Sequence, residues 1–387
     1  MTSTNAFDGV NFDLVQNRRN TSSLKWDTVN ESAIPMWVAD MDFKCPNEIL
    51  LELQAKISQG VLGYSIIDQS YFDAVANWFN QYHNTNINAK HIIPVTGVMP
   101  AIMAIVEKFS ELNDSIIIQT PIYHRFFELL DLSERNIIYN PLSLDASGTY
   151  SINFENLEKL STSKPKILML CSPHNPVGRV WTKFELEKIG DFCQKNGVLL
   201  VVDEIHCDII LPSYSFVSFA SLAPKYRDKT IILNSPTKTF NIAGLRGGNV
   251  FVFNDTIKNT LLNCFNIRGL NKLNSLFVAA ARVGYTHCRY WLELLNKYID
   301  ENKKYVIHYV YEHIPQLRVT RLEGTYLLWI NYQSLGVSED QLISKLEKNL
   351  VVSRGSIFGQ DGNGFIRLNI ACPKQIVKQA MLELQGI

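Results

Sequence analysis

Residues 166–206 read KILMLCSPHNPVGRVWTKFELEKIGDFCQKNGVLLVVDEIH. Two apolar runs, ILMLC and VLLVV, are strand-sized and show no alternation of polar with apolar residues. That is the pattern of strands buried on both faces. Between them TKFELEKIGDFCQKNG has helical character. It opens with Thr182 followed by Glu185, the spacing of a capping box, and closes on Gly197 in a C-cap position. A buried strand, a helix and a second buried strand predict a right-handed crossover in a mostly parallel sheet.

The same rhythm extends outward from about residue 90 to 255. Further strands are predicted in HIIPV, SIIIQT, NIIYNPL, TIILN and NVFVFN, and further helices in PAIMAIVEKFSEL and HRFFELLDLSE. The end of the chain differs. Residues 286–313 read as one long helix, TYLLWINY, NLVVSRG and GFIRLNIA as strands of a smaller α+β unit, and KQIVKQAMLELQ as a closing helix. The N-terminal segment is expected to wrap against this unit. No internal repeat or low-complexity tract interrupts the chain.

A chain of 387 residues with 46% hydrophobic and 19% charged residues suits two packed domains. Acids and bases balance at 37 each, which argues against bulk attraction to nucleic acid or acidic membranes and for a small-molecule partner. The apolar runs are too short to span a bilayer, and the polar stretch MTSTNAFDGVNFDLVQNRRN lacks a secretory h-region. Seven cysteines with no CxxC pair argue against a disulfide framework or a structural zinc site. A reducing cytoplasm and no metal are therefore expected.

In open parallel sheets ligands bind outside the carboxyl ends of the strands. The residues there are Thr96-Gly97-Val98, Pro121-Ile122-Tyr123, Ser172-Pro173-His174-Asn175, Asp203-Glu204-Ile205-His206 and Ser235-Pro236-Thr237-Lys238. Asp203 follows five apolar residues, so its carboxylate is partly desolvated and calls for a cation such as a protonated pyridine nitrogen. Its plain alternative is a structural ion pair or a helix cap. Lys238 could form an imine with an aldehyde when burial keeps its amine neutral; the plain alternative is a surface lysine. The glycine turn Gly97-Val98-Met99 opens a helix whose amides would face an anion. Ser235, Thr237 and Arg246 could add hydroxyls and a guanidinium fork. Tyr123 could stack on a flat ring or simply pack in the core. His206 could bond a phenolate oxygen and lacks convincing metal-ligating partners. Arg367, inside the apolar strand GFIRLNIA, needs an anion: a substrate carboxylate or a structural acid.

With these residues in place, the chain resembles fold-type I pyridoxal-phosphate enzymes of the aspartate-aminotransferase superfamily, and within them the cystathionine β-lyase (C–S lyase) branch. The matching stretches are PMWVADMDF (35–43), GYS (63–65), TPIYHRF (120–126), SPHNPVGRVW (172–181), DEIHCDI (203–209), SPTKTFNIAGL (235–245) and GFIRLNIACP (364–373). The resemblance implies a large domain, residues 47–285, with a seven-stranded sheet sandwiched by helices. A smaller α+β domain would come from both chain ends, 1–46 and 286–387. Lys238 would hold the cofactor covalently and later move the substrate proton. Asp203 would pair with the ring nitrogen, Asn175 and His206 would lie near the phenolic oxygen, and Tyr123 would stack on the ring. Gly97, Val98, Met99, Ser235, Thr237 and Arg246 would cradle the phosphate. Tyr64 would reach over from the second subunit of a homodimer, acting on cofactor and substrate. Arg367, Trp37 and Asn175 would bind the substrate.

The implied activity is β-elimination on cystathionine or an S-substituted cysteine. Aminotransfer at the same site is the alternative, favoured by Arg246, since many aminotransferases carry arginine eight positions after the lysine. A non-catalytic regulator on this fold is a further alternative, opposed by the intact Lys238, Asp203 and Asn175. A nucleotide-dependent dehydrogenase is opposed by the lack of a GxGxxG turn after a strand.

Overall fold

The computed structural model describes residues 9–387; residues 1–8, the start of the segment assigned above to the small domain, lie outside the described residues. Seven strands, β1 (Ile92–Val95), β2 (Ser115–Ile118), β3 (Asn136–Tyr139), β4 (Ile167–Cys171), β5 (Leu199–Asp203), β6 (Thr230–Asn234) and β7 (Gly248–Val252), form one sheet. Their spatial order is β1-β7-β6-β5-β4-β2-β3, with β7 antiparallel to both neighbours and every other pairing parallel. Side chains alternate across a strand, so each apolar run feeds two cores at once. Leu168, Leu170, Leu200, Val202 and Ile232 enter one core, and Ile167, Met169, Val201, Ile231 and Leu233 enter the other. This double burial is why the runs lack polar alternation.

The helix Lys183–Asn196 covers one face and begins and ends where its caps dictate. Thr182 Oγ1 accepts from Glu185 N–H at 3.3 Å, Glu185 Oε2 accepts from Thr182 N–H at 2.8 Å, and Gly197 turns left-handed at φ 70°. The reversal of β7 has a local cause. Between Asn234 and Gly248 the chain makes only two short helical turns, Pro236–Thr239 and Ala243–Leu245. That is too little for a covering crossover helix. The chain therefore doubles back beside β6, and the doubling-back loop carries Lys238 and Arg246.

The smaller sheet is wholly antiparallel and runs Arg318–Val319, Leu327–Asn331, Phe365–Asn369, Ser353–Arg354. Two expectations change here. Residues 286–313 are not one helix: Thr286 and His287 finish the helix Ser275–His287, and the long helix is Arg289–His313. Cys288, at φ −103° and ψ 20°, breaks between them. Similar amphipathic character on both sides hides that break from a periodicity argument. NLVVSRG is likewise two fragments, because Leu350–Val351 pairs with the N-terminal Ile34–Pro35 while Ser353–Arg354 pairs with Ile366 and Arg367.

The N-terminal segment lies along the small sheet. Asn369 N–H donates to Met36 O at 2.9 Å, Asn369 Nδ2 donates to Val38 O at 2.7 Å, and Asp42 N–H donates to Ala371 O at 2.9 Å. Phe12 anchors the start of the segment against Phe43, Trp291 and Tyr298. Among the described residues no helix is long and apolar enough to cross a membrane.

Candidate active site

The segments after β1, β2, β4, β5 and β6 open on one cavity of about 840 Å³. The N-terminal segment closes it from the small-sheet side, with Leu24 and Ala39 at its edge. Two motifs distant in sequence meet through Asn241. Its Nδ2 donates to Met41 O at 3.0 Å and Phe43 O at 2.8 Å, and its Oδ1 accepts from Met41 N–H at 3.0 Å. The loop of Lys238 and the segment PMWVADMDF are thereby tied together.

Lys238 is half-buried, and its Nζ donates to the carbonyl of Ala39. The hydroxyl of Tyr326 donates to the same carbonyl at 2.9 Å. Burial lowers the amine pKa to about 8, helped by Arg367 and opposed by Asp40 and Asp203. Asp203 ends β5, flanked by Cys171 and Leu233, and its Oδ1 accepts from Ile205 N–H at 3.0 Å. Burial raises its carboxyl to about 6, against the pull of that amide and of Lys238. His206 packs edge-on to Tyr326, and burial drives its imidazole down to about 3, with Lys238 and Arg367 adding to the effect. It is neutral, and its buried Nδ1 has no partner among the described residues.

Arg367 is 3% exposed. Its Nη1 donates to Asn175 Oδ1 at 2.9 Å and its Nη2 to Trp37 O at 2.8 Å and Ser353 Oγ at 3.2 Å, all neutral acceptors. Its guanidinium lies 4.8 Å from the ring centre of Phe358, and its Nε has no partner among the described residues. Burial lowers even this group to about 10. Tyr123 borders the cavity with its phenol pKa raised by burial.

The opposite end suits an anion. The helix Val98–Phe109 starts here from Gly97 with no side-chain cap, leaving first-turn amides open to a ligand. Thr96 N–H donates to Leu270 O at 2.8 Å, which brings Lys272 and Asn274 to the same end, and Arg246 and Thr237 complete the lining. Gly247 is required, since a Cβ there would meet the Phe277 ring at 2.4 Å.

Gly97, Val98, Met99, Tyr123, Asn175, Asp203, His206, Thr237, Lys238 and Arg246 thus border one cavity, with Arg367 beside Asn175. Three expected residues stand elsewhere. The hydroxyl of Ser235 is committed to its own turn: it accepts from Thr237 N–H at 3.1 Å and donates to Gly247 O at 2.7 Å, beneath the cavity rather than in it. Trp37 borders a separate surface cavity with Ile343 and Leu350; its indole Nε1 donates to Lys25 O at 3.3 Å, and its carbonyl accepts from Arg367. Tyr64 is fully exposed and lines no part of its own chain's cavity. Ala39, Lys272, Asn274, Tyr326 and Phe358 were not expected. Only Tyr326 left a trace, as a hydroxyl at the head of an apolar strand that must find a partner.

The family model for aminotransferase class I and II matches residues 34–383. This chain belongs to that family. Among aminotransferase class I and II proteins it is 35% identical to cystathionine beta-lyase PatB of Bacillus subtilis, over 97% of this chain and 99% of that protein. Cystalysin of Treponema denticola, solved with pyridoxal 5'-phosphate, superposes with a TM-score of 0.94 at 35% identity, covering 97% of this chain and 98% of that one. A pyridoxal-phosphate-bound C–S lyase from Staphylococcus hominis gives a TM-score of 0.90 at 28% identity, covering 97% of both chains.

Proposed function

We infer that this chain is a pyridoxal-phosphate-dependent carbon–sulfur β-lyase, converting cystathionine or S-substituted L-cysteines, with one water, to a thiol, pyruvate and ammonia. The observation that carries the cofactor assignment is Lys238, with an amine pKa of about 8, sharing a cavity with the buried Asp203. The residues present fit the group. Asp203 is a buried acid suited to a ring nitrogen, His206 has an unpartnered Nδ1 suited to a ring oxygen, and the uncapped helix start with Arg246 and Lys272 suits a phosphate. The similarity to proteins named as cystathionine β-lyase and C–S lyase favours elimination over aminotransfer.

In this reading Lys238 would hold the cofactor, Asp203 would keep its ring nitrogen protonated, and Tyr123 would lie against the ring. Bound there, the cofactor supplies an electron sink for negative charge at the substrate Cα. Arg367 takes the substrate α-carboxylate through its guanidinium and fixes the Cα beside Lys238. Released from the cofactor, the neutral amine of Lys238 would take the Cα proton. The resulting charge expels the thiolate from the adjacent carbon. Tyr326 and Lys238 share the Ala39 carbonyl, which aims the amine inward when it is released.

We also propose a homodimer. Val61, Leu62, Tyr64 and Ile66 all stand out into solvent in a single chain, an apolar strip that a second copy would cover. Tyr64 of one chain would then serve the site of the other. The seven cysteines are unpaired, which fits a reducing cytoplasm. Incubation of the purified protein with cystathionine or S-methyl-L-cysteine, without keto acid, should release pyruvate, and Lys238→Ala should abolish it. Turnover only after adding a keto acid would overturn the lyase reading in favour of aminotransfer.

A further inference from the structure

His174 stands in the motif SPHNPVGRVW, beside Asn175, and has no part in the site described so far. It is 0% exposed and does not border the active-site cavity. Its backbone is satisfied within its own turn: its N–H donates to Arg179 O at 2.8 Å, and its carbonyl accepts from Gly178 N–H at 2.7 Å. The imidazole serves a different element. It meets Trp181 edge-on, with ring centres 5.6 Å apart, and its Nε2 lies 2.8 Å from the carbonyl oxygen of Pro121. A carbonyl only accepts, so Nε2 carries the proton and donates. Burial keeps the ring neutral, with its pKa lowered to about 4.

This bond joins two turns that both serve the active site. The ladder between the neighbouring strands β2 and β4 runs only as far as the pair Ile118 and Met169. The turns that follow lie past its end, and His174 carries the tie between them. On one side of the bond, Pro121 stands two residues before Tyr123, which borders the cavity. Between them Ile122 N–H donates to Phe358 O at 3.0 Å, and the Phe358 ring lies 4.8 Å from the guanidinium of Arg367. On the other side, Asn175 Oδ1 accepts from Arg367 Nη1 at 2.9 Å. The contacts form a closed circuit that leaves Arg367 through Asn175 and returns to it through His174, Pro121, Ile122 and Phe358.

We propose that His174 is a positioning residue: its bond to Pro121 fixes the Tyr123 turn against the Asn175 turn, and so sets the ring of Tyr123 relative to the carboxylate-binding pair Arg367 and Asn175. This role rests on the pyridoxal-phosphate lyase reading and adds to it a residue outside the cavity. Loss of the donor leaves a buried carbonyl unpaired and opens the circuit at the one link between the two turns that a side chain supplies. Small displacements of positioning groups are costly to a reaction that needs its groups aligned. A shift of Tyr123 changes the surroundings of the bound ring, and a shift of Asn175 changes the hold of Arg367 on the substrate carboxylate.

Three substituted holoenzymes test this. His174→Phe keeps a ring and removes the donor. His174→Asn keeps an amide that stops short, near the place of Nδ1, while the amide of His174→Gln extends as far as Nε2 and can meet Pro121 O. The phenylalanine and asparagine proteins are expected to raise KM for S-methyl-L-cysteine about tenfold or more, the scale of a lost buried hydrogen bond. Both should also alter the visible circular-dichroism band of bound pyridoxal phosphate. The glutamine protein should keep the band and stay within about threefold of the unsubstituted KM. Should His174→Phe fail to fold, the asparagine and glutamine proteins decide by themselves. Equal behaviour of those two, or a lowered urea midpoint with band and KM unchanged, would overturn the positioning role and leave the lyase reading intact. Absence of pyruvate from the unsubstituted protein would overturn the lyase reading, while the dichroism comparison, which needs only bound cofactor, would still decide the role of His174.

Discussion

Arg367 is a buried cation whose three hydrogen-bond acceptors are all neutral. Such an arrangement is unfavourable until an anion arrives, so its value lies in binding. Lysine cannot reproduce the planar fork that matches a carboxylate. Arg367→Lys is therefore expected to raise KM for S-methyl-L-cysteine about a hundredfold, in line with the worth of hydrogen bonds to charged groups, with a much smaller change in kcat. Steady-state kinetics would show the split, and equal loss in both constants would count against a carboxylate-binding role. Lys238 offers a pH test. Only the neutral amine attacks an aldehyde, and its pKa is lowered to about 8 by burial. Below that value the neutral fraction grows with pH. Capture of pyridoxal phosphate by the cofactor-free protein should therefore accelerate about tenfold per pH unit between mildly acidic pH and the pKa, then level off. Stopped-flow absorbance measures this. A rate still climbing steeply toward the ordinary lysine range would mean that burial does not tune the amine.

At the scale of elements, the doubling-back loop between β6 and β7 does most of the positioning. It is short, so its conformation depends on single residues. Asn241 sits at φ 55° and makes three bonds to Met41 and Phe43. Replacing it by alanine removes the bonds and places a Cβ in the left-handed region, whereas glycine removes the bonds alone. Urea unfolding should therefore find Asn241→Ala less stable than Asn241→Gly by about 1 kcal/mol. Equal midpoints would show that the left-handed turn is not maintained in solution. Asp208 anchors the other side of the loop, accepting from Thr239 Oγ1 at 2.6 Å, Trp78 Nε1 at 2.9 Å and pairing with His83 Nε2 at 2.7 Å. Asp208→Ala strands buried donors and should lower stability by about 3 kcal/mol on the same measurement.

At the scale of the whole molecule, the exposed strip from Val61 to Ile66 makes a single chain an incomplete object in the homodimer reading. Ile66→Glu would place a charge in the proposed interface. It is expected to shift the protein toward monomer in sedimentation velocity and to lower activity in parallel. Hybrids reassembled from Tyr64→Ala and Lys238→Ala chains should regain activity that neither parent has, because one of their two sites is then intact. Unchanged sedimentation of Ile66→Glu would remove the strip as an interface. No recovery in the hybrids would place the work of Tyr64 within its own subunit.

What could be read from the sequence alone was set by short-range physics. The apolar runs specify strands buried on both faces, Thr182, Glu185 and Gly197 specify a helix end to end, and a polar residue directly after a buried strand must lie at the sheet's carboxyl edge. Asp203, Asn175 and Lys238 were legible for that reason. Direction and partnership were not. The indole N–H of Trp37 is taken by the Lys25 carbonyl, and the hydroxyl of Ser235 is consumed by a turn carbonyl. The Ala39 carbonyl meets the Lys238 amine across 199 residues of chain. Backbone carbonyls carry no sequence signature, and long-range pairing decides which of them face a site. The chemistry of this protein is therefore written in its residues, while the aim of that chemistry is set by tertiary contacts.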